Sequence, residues 1–132
     1  MQGLAPFDAA IDGDVDASAC IVSYGQLPDE VRGALFAACE GIGMPDSVCL
    51  DVSLVVPTDV FAVIEGLDPV ALIVADEFAA ALVGDAYRMK LELDAFARVL
   101  GRSCVAFTSF EADLASMRMK QRNWALIKRL RA

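Results

Sequence analysis

An α/β domain with a mostly parallel sheet is the fold class this 132-residue sequence predicts. Three observations predict it. Short apolar, β-branched runs alternate with helix-spaced segments along the chain, in the order strand, helix, repeated four times. One run, Val70–Ala75, is almost continuously apolar, the pattern of a strand covered on both faces. Turn and capping residues fall between the runs and seldom within them.

Residues 1–17 are rich in Asp, Ala and Gly with little periodicity, and read as a loose N-terminal arm. Residues 18–132 read as a single α/β domain. Ala19–Tyr24 is a short β-branched run that fits a buried strand. Pro28-Asp29-Glu30 then opens a helix, with acids in the first turn where the macrodipole favours them. Val31, Leu35, Ala38 and Ile42 recur on it at helical spacing, and Gly41-Ile42-Gly43 ends it. Val48–Val56 reads as the second strand, bounded by Asp46 and Pro57. Thr58 caps a helix running to about Gly66, and Leu67-Asp68-Pro69 makes a turn. Val70–Ala75 is the third strand, and Asp76 caps a helix over Glu77–Tyr87. Between 88 and 101, Leu91 and Leu93 alternate like a strand, whereas Phe96, Val99 and Leu100 are helix-spaced. Cys104–Phe107 is the last strand, and the tail from about Arg118 is the final helix.

The chain is 57% hydrophobic, but Asp, Glu, Gly or Pro interrupts every apolar run well before the roughly 20 residues of a membrane span. The start carries acids (Asp8, Asp12, Asp14, Asp16) where a signal peptide would be basic, so a soluble cytoplasmic protein is expected. Charge is unevenly distributed. Residues 1–87 hold fifteen acids and one base, Arg32, whereas residues 88–132 hold ten bases and four acids. Arg118, Lys120, Arg122 and Lys128 are therefore candidates for contact with nucleic acid. The structural alternative, a solvated helix whose cations offset its negative end, is favoured, because an acidic body repels DNA at long range. The four cysteines (Cys20, Cys39, Cys49, Cys104) have no CxxC spacing and no histidine to join, so no metal site and no cofactor are expected. Their apolar neighbours predict core thiols. A single glycine after the first strand, in Gly25-Gln26-Leu27-Pro28, gives no dinucleotide fingerprint.

The stretch Ser103–Arg131 places a strand and a loop ahead of a helix in which Lys120, Trp124, Ile127 and Lys128 form a Lys-x-x-x-Trp-x-x-Ile-Lys pattern. It is similar to the close of the uracil-DNA glycosylase superfamily. Two earlier blocks, Ala34–Val56 and Gly66–Gly84, resemble that family's successive helix–strand and strand–helix segments in the same order. The resemblance implies a three-layer αβα sandwich around a short, mostly parallel four-stranded sheet. It implies that Trp124 packs the final helix on the sheet. It also places the family's catalytic histidine at Ser109 and the following proline at Phe110. The family's motif after the first strand shrinks here to Gly25-Gln26-Leu27-Pro28, and its uracil-recognising asparagine has no counterpart near Val52 and Ser53.

With no histidine in the chain, Ser-His-Asp and Cys-His catalysis are excluded, and serine at position 109 supplies no cation near neutral pH. The expectation is that no residue is catalytic, which weighs against an enzyme. For open sheets, ligands lie at the carboxyl ends of strands, so a surviving pocket there would be lined by Tyr24, Gln26, Ser53, Asp76, Thr108, Ser109 and Glu111. Ser109 and Glu111 form the preferred hydrogen-bonding pair, unless Phe110 fills the space with apolar mass. The function expected is a non-catalytic glycosylase-like domain that binds a protein partner or itself. The alternatives are a nucleic-acid-binding domain using the basic helix, and an enzyme of divergent chemistry in the same cleft. The apolar excess, including Met117 and Met119, favours a homodimer or docking surface.

Overall fold

A computed structural model describes residues 2–131. It is an α/β structure with a mixed sheet of six strands. In chain order the elements are β1 (Ile11–Gly13), β2 (Ala19–Ser23), α1 (Asp29–Gly41), β3 (Ser47–Asp51), α2 (Val60–Leu67) and β4 (Ala71–Val74). There follow α3 (Glu77–Ala86), β5 (Ala95–Val99), β6 (Arg102–Ala106), α4 (Phe110–Asp113) and α5 (Met117–Lys128). Across the sheet the strands lie in the order β1-β3-β2-β4-β6-β5. The four central strands, β3, β2, β4 and β6, are mutually parallel, and β1 and β5 add antiparallel edges. The sheet thus has six strands and is mixed, where a mostly parallel sheet of four strands was expected.

Alternation along the strands divides the core in two. Cys20, Val22, Leu72 and Val74 point to one face, where Val60, Val63 and Ile64 of α2 and Ala79 and Val83 of α3 cover them. Ala19, Ile21, Ala71 and Ile73 point to the other, beneath Val31, Leu35 and Cys39 of α1 and Ile127 of α5. Every residue of β2, β4 and β6 is buried; β4 accordingly runs apolar throughout, whereas β2 ends in Ser23 and β6 opens with Arg102 and Ser103, whose polar groups are hydrogen-bonded within the fold.

Several boundaries differ from expectation for identifiable reasons. The strand expected over Val48–Val56 stops at Asp51, whose carboxylate accepts from the Ser53 amide and turns the chain into a 3-10 stretch, Val52–Leu54. Thr58 does not cap α2. Pro57 opens a 3-10 turn (Pro57–Asp59) that leads directly into the helix. The ambiguous segment is settled as β5, joined to β6 by a two-residue turn in which Leu100 and Gly101 both take positive φ (46° and 81°). Leucine seldom adopts that conformation, so the hairpin has no conventional sequence signal. The residues read as an arm form a 3-10 stretch, Gln2–Ala10, followed by β1, and Leu4, Ala10 and Ala17 are buried in the core.

Trp124 does not pack α5 on the sheet. Ile127 and Leu130 do that, while Trp124 lies 39% exposed against α1. Its ring sits 3.1 Å from where a Cβ at position 41 would stand, so Gly41 is the residue that lets α1 and α5 approach.

At the amino-terminal end of the central strands, Arg102 is 9% exposed. Its guanidinium donates to the Pro69 carbonyl (2.8 Å), to Glu65 (2.6 Å) and to Asp68 (2.8 Å), and Tyr87 donates its hydroxyl to the same Glu65 (2.7 Å). Asp68 holds the left-handed position that ends α2, so this one cation ties α2, the turn into β4 and β6 together. Replacing Arg102 by Met leaves a carboxylate and a carbonyl without their donor. We expect a loss of about 3 kcal/mol in urea unfolding, at the low end for a broken buried pair because Asp68 is largely exposed.

Candidate functional site

In this topology β2 leads into α1 on one face, and the adjacent β4 leads into α3 on the opposite face. Their carboxyl ends therefore flank the crevice where open α/β sheets bind ligands. Here that crevice is stitched by the chain's own carboxylates. Asp76 accepts from the Ala79 amide (2.8 Å) with one oxygen, capping α3, and from the Tyr24 amide (2.9 Å) with the other. Asp51, at the end of β3, accepts from the amides of Gly25 (2.8 Å) and Ser53 (3.0 Å) and from the Ser53 hydroxyl (2.6 Å). Gly25 takes φ +102°, a conformation that turns its amide toward Asp51 and that glycine tolerates best. The two acids that a catalytic reading would recruit are instead acceptors for loop amides, roughly twice as strong as neutral hydrogen bonds.

The loop after β6 is held just as fully. Thr108 donates its amide (3.2 Å) and hydroxyl (2.8 Å) to Asp94, while its carbonyl accepts from the Glu77 amide (3.0 Å). Ser109 makes a backbone bridge to Asp76, and its hydroxyl caps α4 by accepting from Ala112 (3.1 Å). Phe110 is buried against Phe107, with ring centroids 5.4 Å apart, so apolar mass lies directly behind Ser109. Glu111 is exposed on α4.

Thus the residues expected around a pocket meet along one rim in different roles. Asp76 and Ser109 join at a backbone bridge. Thr108 is tied to Asp94, and Ser53 to Asp51. Gln26 alone of the set lines a cavity, of about 240 Å3, between the N-terminal segment, α1 and the ends of β2 and β3. Its other polar walls are Asp12, Ser23, Arg32, Cys49 and Asp51. Tyr24 projects into solvent and meets Phe78 in a tilted pair (centroids 6.1 Å), and both rings are more than half exposed. Sequence reasoning missed Asp51, Asp94 and Phe78. No comparable signal marked Asp51, which lies within the run Val48–Val56 and does not close it as Asp76 closes Val70–Ala75.

The candidate nucleic-acid residues are also divided. Arg122 is half-buried and committed within the fold. It donates to Asp94 and Asp113 (3.0 Å each) and to Asn123, whose own amide reaches Asp113 (2.8 Å). Arg122, expected among the candidates for nucleic-acid contact, is thus engaged by acceptors within the fold. Arg118, Lys120 and Lys128 are exposed, and the Lys128 ammonium sits 5.7 Å from the centre of the Trp124 ring.

Cys20, Cys39 and Cys104 are buried, Cys49 partly so, and none is in a disulfide. Among the described residues no three Cys, Asp or Glu side chains gather closely enough to hold a metal ion, and no helix is long and apolar enough to cross a membrane. Burial raises every thiol pKa, that of Cys104 to about 12.

No protein-family model matches the chain, and no curated protein sequence does.

Two outcomes are expected at this site. Asp76→Ala should cost about 1–2 kcal/mol in urea unfolding and Asp76→Asn distinctly less, since asparagine retains a capping oxygen. In native protein at pH 8, alkylation should modify Cys49 well before the other thiols, which should react only in denaturant. The same burial sets a pH dependence. The unfolded chain loses thiol protons above about pH 8.5 while the folded chain keeps them, so stability should be full below that pH and decline as pH rises beyond it.

Proposed function

We propose that this chain is a uracil-DNA glycosylase-like domain, of three layers around its parallel strands, that acts by binding and not by base excision. Four parallel strands with helices on both faces, and a final helix bearing Lys120, Trp124, Ile127 and Lys128, support the family reading. The observation that carries the functional reading is the closed carboxyl end of the sheet. Asp51 and Asp76 are engaged by backbone amides, Ser109 caps a helix turn, and Phe110 is buried where the family's histidine loop would open. A glycosylase must seat a flipped base and stabilise its departure, but on this rim Asp51, Asp76, Thr108 and Ser109 are committed to the chain's own groups, and the carboxylate left free, Glu111, stands in solvent on α4.

The partner is a protein or a second copy of this chain. Exposed apolar side chains on the same end, Tyr24, Leu54, Val56 and Phe78, support that choice. A second reading, contact with nucleic acid, rests on the stripe Lys120, Trp124 and Lys128, which spaces an aromatic ring between two cations on one face of α5.

Fluorescence anisotropy with labelled single-stranded and duplex DNA, with and without uracil, over a salt series tests both, with abasic sites scored in the same samples. We expect no abasic sites above background and no salt-dependent binding. Binding with a clear salt slope that disappears in Lys120→Ala/Lys128→Ala would replace the protein-binding reading with the nucleic-acid one.

A further inference from the structure

The charge asymmetry of the sequence becomes a spatial one through the strand order. β1 and β5 are the two open edges of a single sheet. Asp12, Asp14 and Asp16 lie in β1 or in the turn after it, and Asp46 immediately precedes the neighbouring β3; all four are exposed. Arg32 pairs with Asp12 and leaves the other three carboxylates as net negative charge. The opposite edge is basic. Arg98 projects from β5 and Arg129 from the 3-10 turn after α5, with their guanidinium carbons 5.5 and 4.4 Å from the centre of the Phe96 ring. Both are exposed, and among the described residues neither forms an ion pair.

The two clusters stand at the same height. Gly13 pairs with Val48 near the start of β3, so the turn carrying Asp14 and Asp16 lies at the amino-terminal end of the parallel strands. Arg98 pairs with Ser103 near the start of β6, and the Ser103 hydroxyl donates to the Leu130 carbonyl (3.0 Å), which brings Arg129 to that same end. β1 is antiparallel to β3 and β5 to β6, so the two edge strands run in the same direction. A copy displaced along the sheet would therefore set its β1 beside β5 in parallel, with acids facing arginines.

We propose that copies of this chain associate head to tail, the β5 edge of one against the β1 edge of the next. This inference rests on the reading of the chain as a binding domain and names its partner as a second copy. Opposite charge selects the pairing, because like edges repel. A heterologous contact of this kind does not close on itself as a two-fold dimer does, so it builds rings or open chains. β1 is only three residues long, so the contact is weak. The whole chain carries −8, so copies repel as bodies when salt is low and the screening length is about 30 Å. At about 0.1 M that length falls to about 10 Å and the local match prevails, and at about 1 M, near 3 Å, the match itself is screened.

Sedimentation velocity of the purified chain tests this, over increasing concentration at those three salt levels. Expected is a sedimentation coefficient that rises with concentration, most at the intermediate salt and not at the highest. Arg98→Glu/Arg129→Glu and Asp14→Lys/Asp16→Lys should each weaken association roughly tenfold or more. Mixing the two variants should restore it, because each then offers the edge the other lacks; a misfolded variant could not be rescued in this way. Association unchanged by the charge reversals, or failure of the mixture to recover it, overturns the edge contact. If Tyr24→Ser/Phe78→Ser abolishes association and the reversals do not, the edge contact fails but self-binding stands. A wild-type chain that stays monomeric at every salt overturns self-association while leaving the binding-domain reading to its own DNA and partner tests.

Discussion

The carboxylates that close the strand ends govern this structure. A parallel strand that stops at the rim of a sheet passes its chain into a loop whose amides have lost their ladder partners, and a buried or half-buried amide without an acceptor is costly. Asp51 and Asp76 answer that demand one strand apart, taking the amides of Tyr24, Gly25, Ser53 and Ala79. Asp94 does the same for Thr108 from the antiparallel edge. Because these groups are satisfied internally, the loops after β2, β3 and β6 are fixed relative to one another, and the crevice between β2 and β4 is bridged by chain. Asp51 and Asp76 thereby serve to order the rim.

The same logic explains the arginines. Arg122 stands among Asp94, Asp113 and the buried Asn123, so it joins the loop before β5, the short α4 and the start of α5. Arg102 performs the matching task at the other end of the strands with Glu65, Asp68 and a carbonyl. A planar guanidinium with several fixed donors suits both junctions, and lysine would serve neither as well. Between these polar ends the central strands are largely apolar, which accounts for much of a 57% hydrophobic chain. Double coverage of β2, β4 and β6 demands it.

The α/β class and the four central strands were legible because a doubly covered strand must be continuously apolar, and few other structures of that length are. The cap at Asp76 was legible because a polar residue between a strand and a helix-spaced segment has one common use. The edges were not. β1 is three residues of Ile-Asp-Gly, too short for periodicity to register. β5 alternates weakly, since its residues are only partly buried, and it turns on a leucine at positive φ. The rim residues were placed at the correct end of the sheet by topology alone, but topology does not reveal that Asp51 and Asp76 turn inward to backbone amides. That depends on side-chain direction over one or two residues, below the scale at which spacing carries information. The engagement of Arg122 was illegible for a related reason: its partners Asp94 and Asp113 come from a separate loop and a separate helix.

An α/β domain meets other molecules through the crevice at its strand ends, through its helical surfaces, or through unpaired edges. The crevice here is bridged, and α1 and α5 lock together through Trp124 and Gly41. The edges of the sheet differ from these surfaces in one respect: the order in which the chain adds its strands gives them opposite charge. The acidic first two thirds of the sequence builds β1 to β4, and the basic last third builds β5, β6 and the final helix. Charge on an edge strand ordinarily discourages pairing with any neighbour. Charge of opposite sign on the two edges of one sheet discourages like pairing, and in the head-to-tail contact proposed above the same charges would select the unlike edge.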